Sequence, residues 1–71
     1  MIKNNIESYR KKYKITQKKL AVELGVSRQT IYAIENYKYN PSLELALKIS
    51  EYFKVKVEDI FILQEGDNEK I

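Results

Sequence analysis

From Gln17 to Asn36 the chain reads QKKLAVELGVSRQTIYAIEN, and the apolar residues of that stretch are Leu20, Ala21, Leu24, Val26, Ile31 and Ile34. Their spacing is that of two short helices, 17 to 24 and 28 to about 36, each with one apolar stripe and joined only by Gly25-Val26-Ser27. Thr16 and Ser27 suit the two N-caps, because a hydroxyl oxygen there can accept from an amide that the first helical turn leaves unpaired. Two helices crossing steeply over so short a connection need a small residue where they approach and a turn residue that accepts positive φ. Ala21 and Gly25 meet those demands. With Ile31, Ile34 and Glu35 turned toward the first helix of the pair, the outer face of the second is left with Arg28, Gln29, Tyr32, Ala33 and Asn36. The alternative for this pattern is a helical hairpin whose polar face meets only water.

The flanking segments supply three more helices. Residues 5 to 13 carry Ile6, Tyr9 and Tyr13 on one stripe, with Asn4 or Asn5 as the cap. Asn40-Pro41-Ser42 breaks the chain, since the residue before a proline is pushed out of the helical region. Ser42 can then cap a helix over 42 to 53 that buries Leu45, Ala46, Ile49 and Phe53. Lys54-Val55-Lys56-Val57 alternates like a strand, but the acids Glu58 and Asp59 favour the start of a short fifth helix, 57 to 61. Met1-Ile2-Lys3 and Ile62-Leu63-Gln64 can pair as a small two-stranded ribbon, and residues 65 to 71 read as a polar, frayed tail. The expected fold class is all-α: one domain over residues 1–64, five helices with a helix-turn-helix at the second and third, and the terminal ribbon.

Composition narrows what such a chain can do. Its 71 residues allow one modest core, and below roughly 70 to 80 residues a core seldom supplies more than about 3 to 5 kcal/mol without a staple. Cysteine and histidine are both absent, which removes disulfides, thiolate metal sites and imidazole chemistry together. Helical packing or self-association is left as the source of stability, so a homodimer is expected and no metal or cofactor is. No apolar run approaches the ~20 residues of a membrane helix, and no apolar segment of a secretory signal follows the N-terminal charges; a cytoplasmic location is expected. Residues 1 to 38 hold nine Lys or Arg against three acids, while the remainder holds four against seven. A positive half of this kind suits a surface that neutralises phosphates, one that faces anionic lipid, or a solvated lysine face.

The rigid crossing of helices two and three, with the N-terminus of the third pointing outward from the basic half, is the geometry that places a helix in a DNA major groove. The stretches ITQKKLAVELGVSRQTIYAIEN and KYNPSLELALKI, followed by VEDIF, resemble the Cro and xenobiotic-response-element type of helix-turn-helix repressors, over about residues 4 to 63. The likeness is closest to the short, stand-alone members. It implies a five-helix, lambda-repressor-like domain that binds operator DNA as a dimer.

Carried over position by position, the resemblance implies base-edge contacts from Arg28, Gln29 and Ala33. The chemistry agrees: an arginine fork can hold guanine, a glutamine amide adenine, and an alanine methyl can rest on a thymine methyl. Tyr32 could reach a base or a phosphate, or lie over its own helix. The resemblance assigns Gln17 and Ser27 to phosphate on one side of the reading helix, and Asn36, Lys38, Asn40 and Ser42 to the backbone on the other; capping or solvation is the alternative for each. Lys11, Lys12, Lys18 and Lys19 are read as long-range attraction. Arg10 and Glu35 match a structural ion pair that ties the first helix to the third. Phe61, Ile62 and Leu63, expected to be exposed, are candidates for a dimer interface. Three positions depart from the pattern: Tyr37 and Lys54 stand where glycine is usual and Lys56 where a cap is usual, so those helix ends are expected to be rebuilt.

Other functional classes lack parts. An enzyme would have to work without His or Cys, paired acids or a glycine-rich phosphate loop. The lysines flank a compact core pattern rather than one long amphipathic face, which disfavours a membrane role, and the scattered tyrosines offer no stacking platform for RNA. No small-molecule site is evident. The competing reading is a protein-interaction module, an antitoxin-like or adaptor subunit built on the same fold.

Overall fold

The computed structural model describes residues 2–64. In chain order they form β1 (Ile2–Asn4), α1 (Ile6–Lys12), α2 (Gln17–Leu24), α3 (Arg28–Glu35), α4 (Leu43–Phe53), α5 (Val57–Ile60) and β2 (Phe61–Leu63). Three helix starts are set by hydroxyls. Thr16 Oγ1 accepts from the Lys19 amide at 3.0 Å, Ser27 Oγ from Thr30 at 3.1 Å and Ser42 Oγ from Leu45 at 3.1 Å. Each satisfies an amide that the helix itself cannot, an arrangement worth about 1 kcal/mol per cap.

The helix ends share one device. Lys14, Gly25, Tyr37 and Lys54 all adopt the left-handed conformation, with φ of 58, 74, 61 and 59°. At each, the amide of the following residue donates back to the carbonyl five positions earlier: Ile15 to Arg10, Val26 to Ala21, Lys38 to Ala33 and Val55 to Ser50. This is the Schellman turn, which uses up carbonyls the helix leaves free. The rebuilding expected at Tyr37 and Lys54 does not occur; the same turn forms on a non-glycine residue, with its backbone hydrogen bonds intact. Lys56 offers α5 no side-chain cap; the Asp59 carboxylate accepts from the Lys56 amide at 3.1 Å, the return half of a capping box, and the Asp59 amide donates to the Lys56 carbonyl at 2.9 Å.

Ile6, Leu20, Ile31, Ile34, Ile49 and Ile60 are fully buried, one or more from every helix, and Ala21, Leu45 and Phe53 complete the cluster. Tyr9, Tyr13 and Tyr52 surround the Phe53 ring with centroids 5.6, 6.1 and 5.1 Å away. Tyr13, expected on the inward stripe, is half-exposed at the end of α1 and closes this cluster from outside.

Several boundaries differ from the expectation. α1 stops short of Asn5 and Tyr13, Asn36 caps α3 rather than belonging to it, and α4 begins after its Ser42 cap. α5 ends at Ile60, because Phe61 turns to an extended φ, ψ of −105°, 128° and opens β2. The ribbon accordingly pairs Ile2 with Leu63, Lys3 with Ile62 and Asn4 with Phe61, instead of joining 1–3 to 62–64. A bond from the Asn5 amide to the Ile60 carbonyl at 2.9 Å closes it against α5, and Phe61 is half-buried against the core rather than exposed. Met1 and the tail over 65–71 lie outside the described residues.

Candidate nucleic-acid interface

α3 buries Ile31 and Ile34 and turns Arg28, Gln29, Tyr32 and Asn36 outward, with Ala33 partly covered between them. The helix is short and stiffly held. Its first turn is capped by Ser27, its floor is the α2 packing, and its last carbonyls are closed by the Tyr37 turn. A bond from Asn4 Nδ2 of β1 to the Ile34 carbonyl, at 2.9 Å, fastens the far end of α3 to the ribbon. Nothing in the sequence pattern marked this role for Asn4. Its side-chain oxygen also accepts from the Ile6 amide at 3.2 Å, so one residue anchors the start of α1 and the end of α3.

Along one flank of α3, from Arg28 in its first turn to Glu35 in its last, runs a row of four polar side chains that takes in Arg10 and Gln17. Arg10 donates to Glu35 through Nε at 2.8 Å and Nη2 at 3.1 Å, with Nη1 on the Ile15 carbonyl at 3.1 Å. Glu35 Oε1 also accepts from Gln17 Nε2 at 3.1 Å, and Gln17 Oε1 accepts from Arg28 Nη1 at 3.0 Å. The Arg10 and Glu35 side chains are 11% and 4% exposed, so the ion pair lies largely out of water. The hydrogen bond from Arg10 to Glu35 raises the guanidinium pKa above its ordinary value, outweighing the burial that opposes it.

This row connects the core to the reading face. Gln17 has its amide nitrogen on Glu35 and its oxygen on Arg28, so it orients Arg28 instead of standing free. It also sits in the first turn of α2, beside a shallow notch lined by Arg10, Thr16, Lys18 and Arg28. Amides, a helix N-terminus and three cations at one notch suit a phosphate oxygen. The sequence contained the four residues, but their connection depends on how α1, α2 and α3 pack.

The remaining site residues are placed less uniformly. Gln29 is exposed on the α3 face. Asn36 folds back, with Nδ2 donating to the Tyr32 carbonyl at 2.8 Å, and Ser27 shares a hydroxyl contact with Thr30 at 2.9 Å. Ser27 and Ser42 both spend an acceptor on their own helix, and Ser42 keeps its hydroxyl proton to offer. Lys38 and Asn40 are exposed in the loop beyond α3. Two of the four long-range lysines are partly neutralised: Lys11 pairs with Glu7 at 3.0 Å and Lys19 with Glu23 at 3.3 Å, both at the surface. Ile62 and Leu63 are exposed on β2, the strand paired with β1.

Residues 6–60 match the family model described as Helix-turn-helix, which spans all five helices. The chain belongs to that family, of the Cro and xenobiotic-response-element type. This helix-turn-helix protein is 54% identical over 66 residues to an uncharacterized HTH-type transcriptional regulator of Methanocaldococcus jannaschii, covering 93% of this chain and 100% of the relative. It is 47% identical over 64 residues to an uncharacterized HTH-type transcriptional regulator of Bacillus subtilis, covering 90% and 97% of the two chains. Among solved structures it superposes on a protein from Bacteroides fragilis, provisionally described as DNA-binding, with a TM-score of 0.77, 28% identity and coverage of 86% and 98%. The chain is thus a helix-turn-helix family member whose relatives bear the name of transcriptional regulators.

Proposed function

We propose that two copies of this chain read an inverted-repeat operator in double-stranded DNA and repress transcription in the cytoplasm. α3 enters the major groove; Arg28, Gln29 and Ala33 contact base edges, with Tyr32 at the same edge. Gln17 and Ser27 hold the backbone on one side, and Asn36, Lys38, Asn40 and Ser42 on the other. The observation that carries this reading is the row Arg10–Glu35–Gln17–Arg28. It fixes the direction of a long, flexible side chain at the tip of an exposed helix, and such ordering serves readout rather than stability.

A single copy offers one reading helix. Two related by a two-fold axis set their helices about one DNA turn, roughly 34 Å, apart and read an inverted repeat. The exposed Ile62 and Leu63, beside the half-buried Phe61, are the surface we assign to that contact. The competing use of this surface, as a dock for another protein, is separated by selecting bound sequences from random duplex DNA. A palindromic consensus supports the operator reading; absence of any enriched sequence supports the adaptor.

A further inference from the structure

Four helices end in a left-handed residue, and the strain at three of those ends is offset in the fold. Gly25 has no Cβ, and Lys14 and Lys54 place a cation at the negative end of a helix. At the same three ends the next residue, Ile15, Val26 or Val55, packs against the core. Tyr37, which ends α3, has neither compensation. Its side chain is uncharged and 45% exposed, and the next residue is the exposed Lys38.

The turn is fully made all the same. The Lys38 amide donates to the Ala33 carbonyl at 2.9 Å and the Tyr37 amide to Ile34 at 3.1 Å, on the carbonyl that Asn4 also holds. The fold therefore presents Tyr37 and Lys38 to solvent at the end of the reading helix, held by the backbone bonds of the turn but, among the described residues, without the absent Cβ, charged left-handed side chain or core-packed following residue that eases the other three turns. Strain kept at an exposed position beside a binding face points to a contact made only in the complex.

We infer that Tyr37 is a DNA-backbone contact, its phenol hydroxyl donating to a phosphate oxygen beside the groove that α3 enters, next to the phosphate taken by Lys38. Tyrosine hydroxyls are among the groups that position proteins on phosphates, and such contacts carry no sequence information. The inference rests on the DNA-binding reading of α3 and adds to it a residue standing where a glycine could make no such contact.

The test compares Tyr37→Phe, Tyr37→Gly, Lys38→Ala and Arg28→Ala on two duplexes, the selected consensus and a scrambled one of equal length. Tyr37→Phe should lose affinity about tenfold on both, the scale of one hydrogen bond to a charged acceptor. Its salt dependence should be unchanged, because the phenol is neutral, whereas Lys38→Ala should flatten the slope by about one. Tyr37→Gly should show the same loss while melting at or above the wild-type midpoint, which separates contact from folding. Binding by the Tyr37→Phe variant within about twofold of wild type on both duplexes overturns the inference. So does a loss confined to the consensus, which would mean base reading, or one that follows weakened self-association, which would mean a protein contact. If Arg28→Ala weakens binding while Tyr37→Phe does not, this inference alone fails; if the wild-type chain binds neither duplex, the DNA reading of α3 fails with it.

Discussion

Replacing Glu35 by alanine removes three contacts at once, those accepted from Arg10 Nε and Nη2 and from Gln17 Nε2 at 2.8, 3.1 and 3.1 Å. Arg10 has little room to escape, because its side chain is 11% exposed, and it keeps only the Ile15 carbonyl as a partner. It cannot shed its charge either, since a guanidinium stays protonated at any working pH. Removing one partner of a buried ion pair costs about 3 to 5 kcal/mol, and some remaining solvent contact at Arg10 argues for the lower figure. A domain of this size holds only about 3 to 5 kcal/mol in all. At about 4 to 8 °C per kcal/mol, the thermal midpoint should fall by more than 10 °C. Circular dichroism during heating and in urea provides the assay, with an unchanged m-value showing that the loss is one of stability. Arg10→Met/Glu35→Leu removes both charges and refills the volume, so it should recover most of the loss while still weakening DNA binding through Gln17 and Arg28. A Glu35→Ala midpoint equal to wild type, or a double variant no better than the single one, refutes the reasoning.

Three further outcomes follow from the same geometry. Arg28→Ala should relax specificity at one base position by about 1 to 3 kcal/mol, read from affinities for single-substituted operators; an equal loss on every sequence would deny it a base. Lys54→Gly relieves a left-handed non-glycine residue at an exposed helix end and should stabilise the chain by about 0.5 to 1 kcal/mol, after allowing for the lost cation at the α4 terminus; a lower midpoint on heating would refute the strain at that turn. Ile62→Lys/Leu63→Lys should turn the proposed dimer into a monomer in sedimentation and weaken operator binding without lowering the midpoint of the isolated fold; unchanged self-association would place the interface elsewhere.

Much of the fold was legible because it rests on local chemistry. Thr16, Ser27 and Ser42 announce helix starts through their own hydroxyls, and Leu20, Ile31, Ile34 and Ile49 mark buried stripes by period alone. The errors lie where a tertiary contact decides. Phe61 reads equally well as the last residue of a helix or the first of a strand, and it goes to the strand because it packs half-buried in register with Asn4. Tyr37 and Lys54 look like misfits for a left-handed turn, yet backbone hydrogen bonds to Ala33 and Ser50 hold them there. The α3 face followed from which residues were left over once the core was assigned. The bridging amide of Gln17 and the tie from Asn4 to Ile34 did not, because each joins residues far apart in sequence through atoms that have no apolar signature.

Selection of bound sequences from random duplex DNA, followed by titration of the best binder over a range of salt, bears most directly on the central claim. An operator-reading pair of chains should yield a two-fold symmetric consensus with half-sites about one helical turn apart, bound by two copies, with affinity falling steeply as salt rises. A pool with no enriched sequence, or an asymmetric site filled by one copy of the chain, would contradict it.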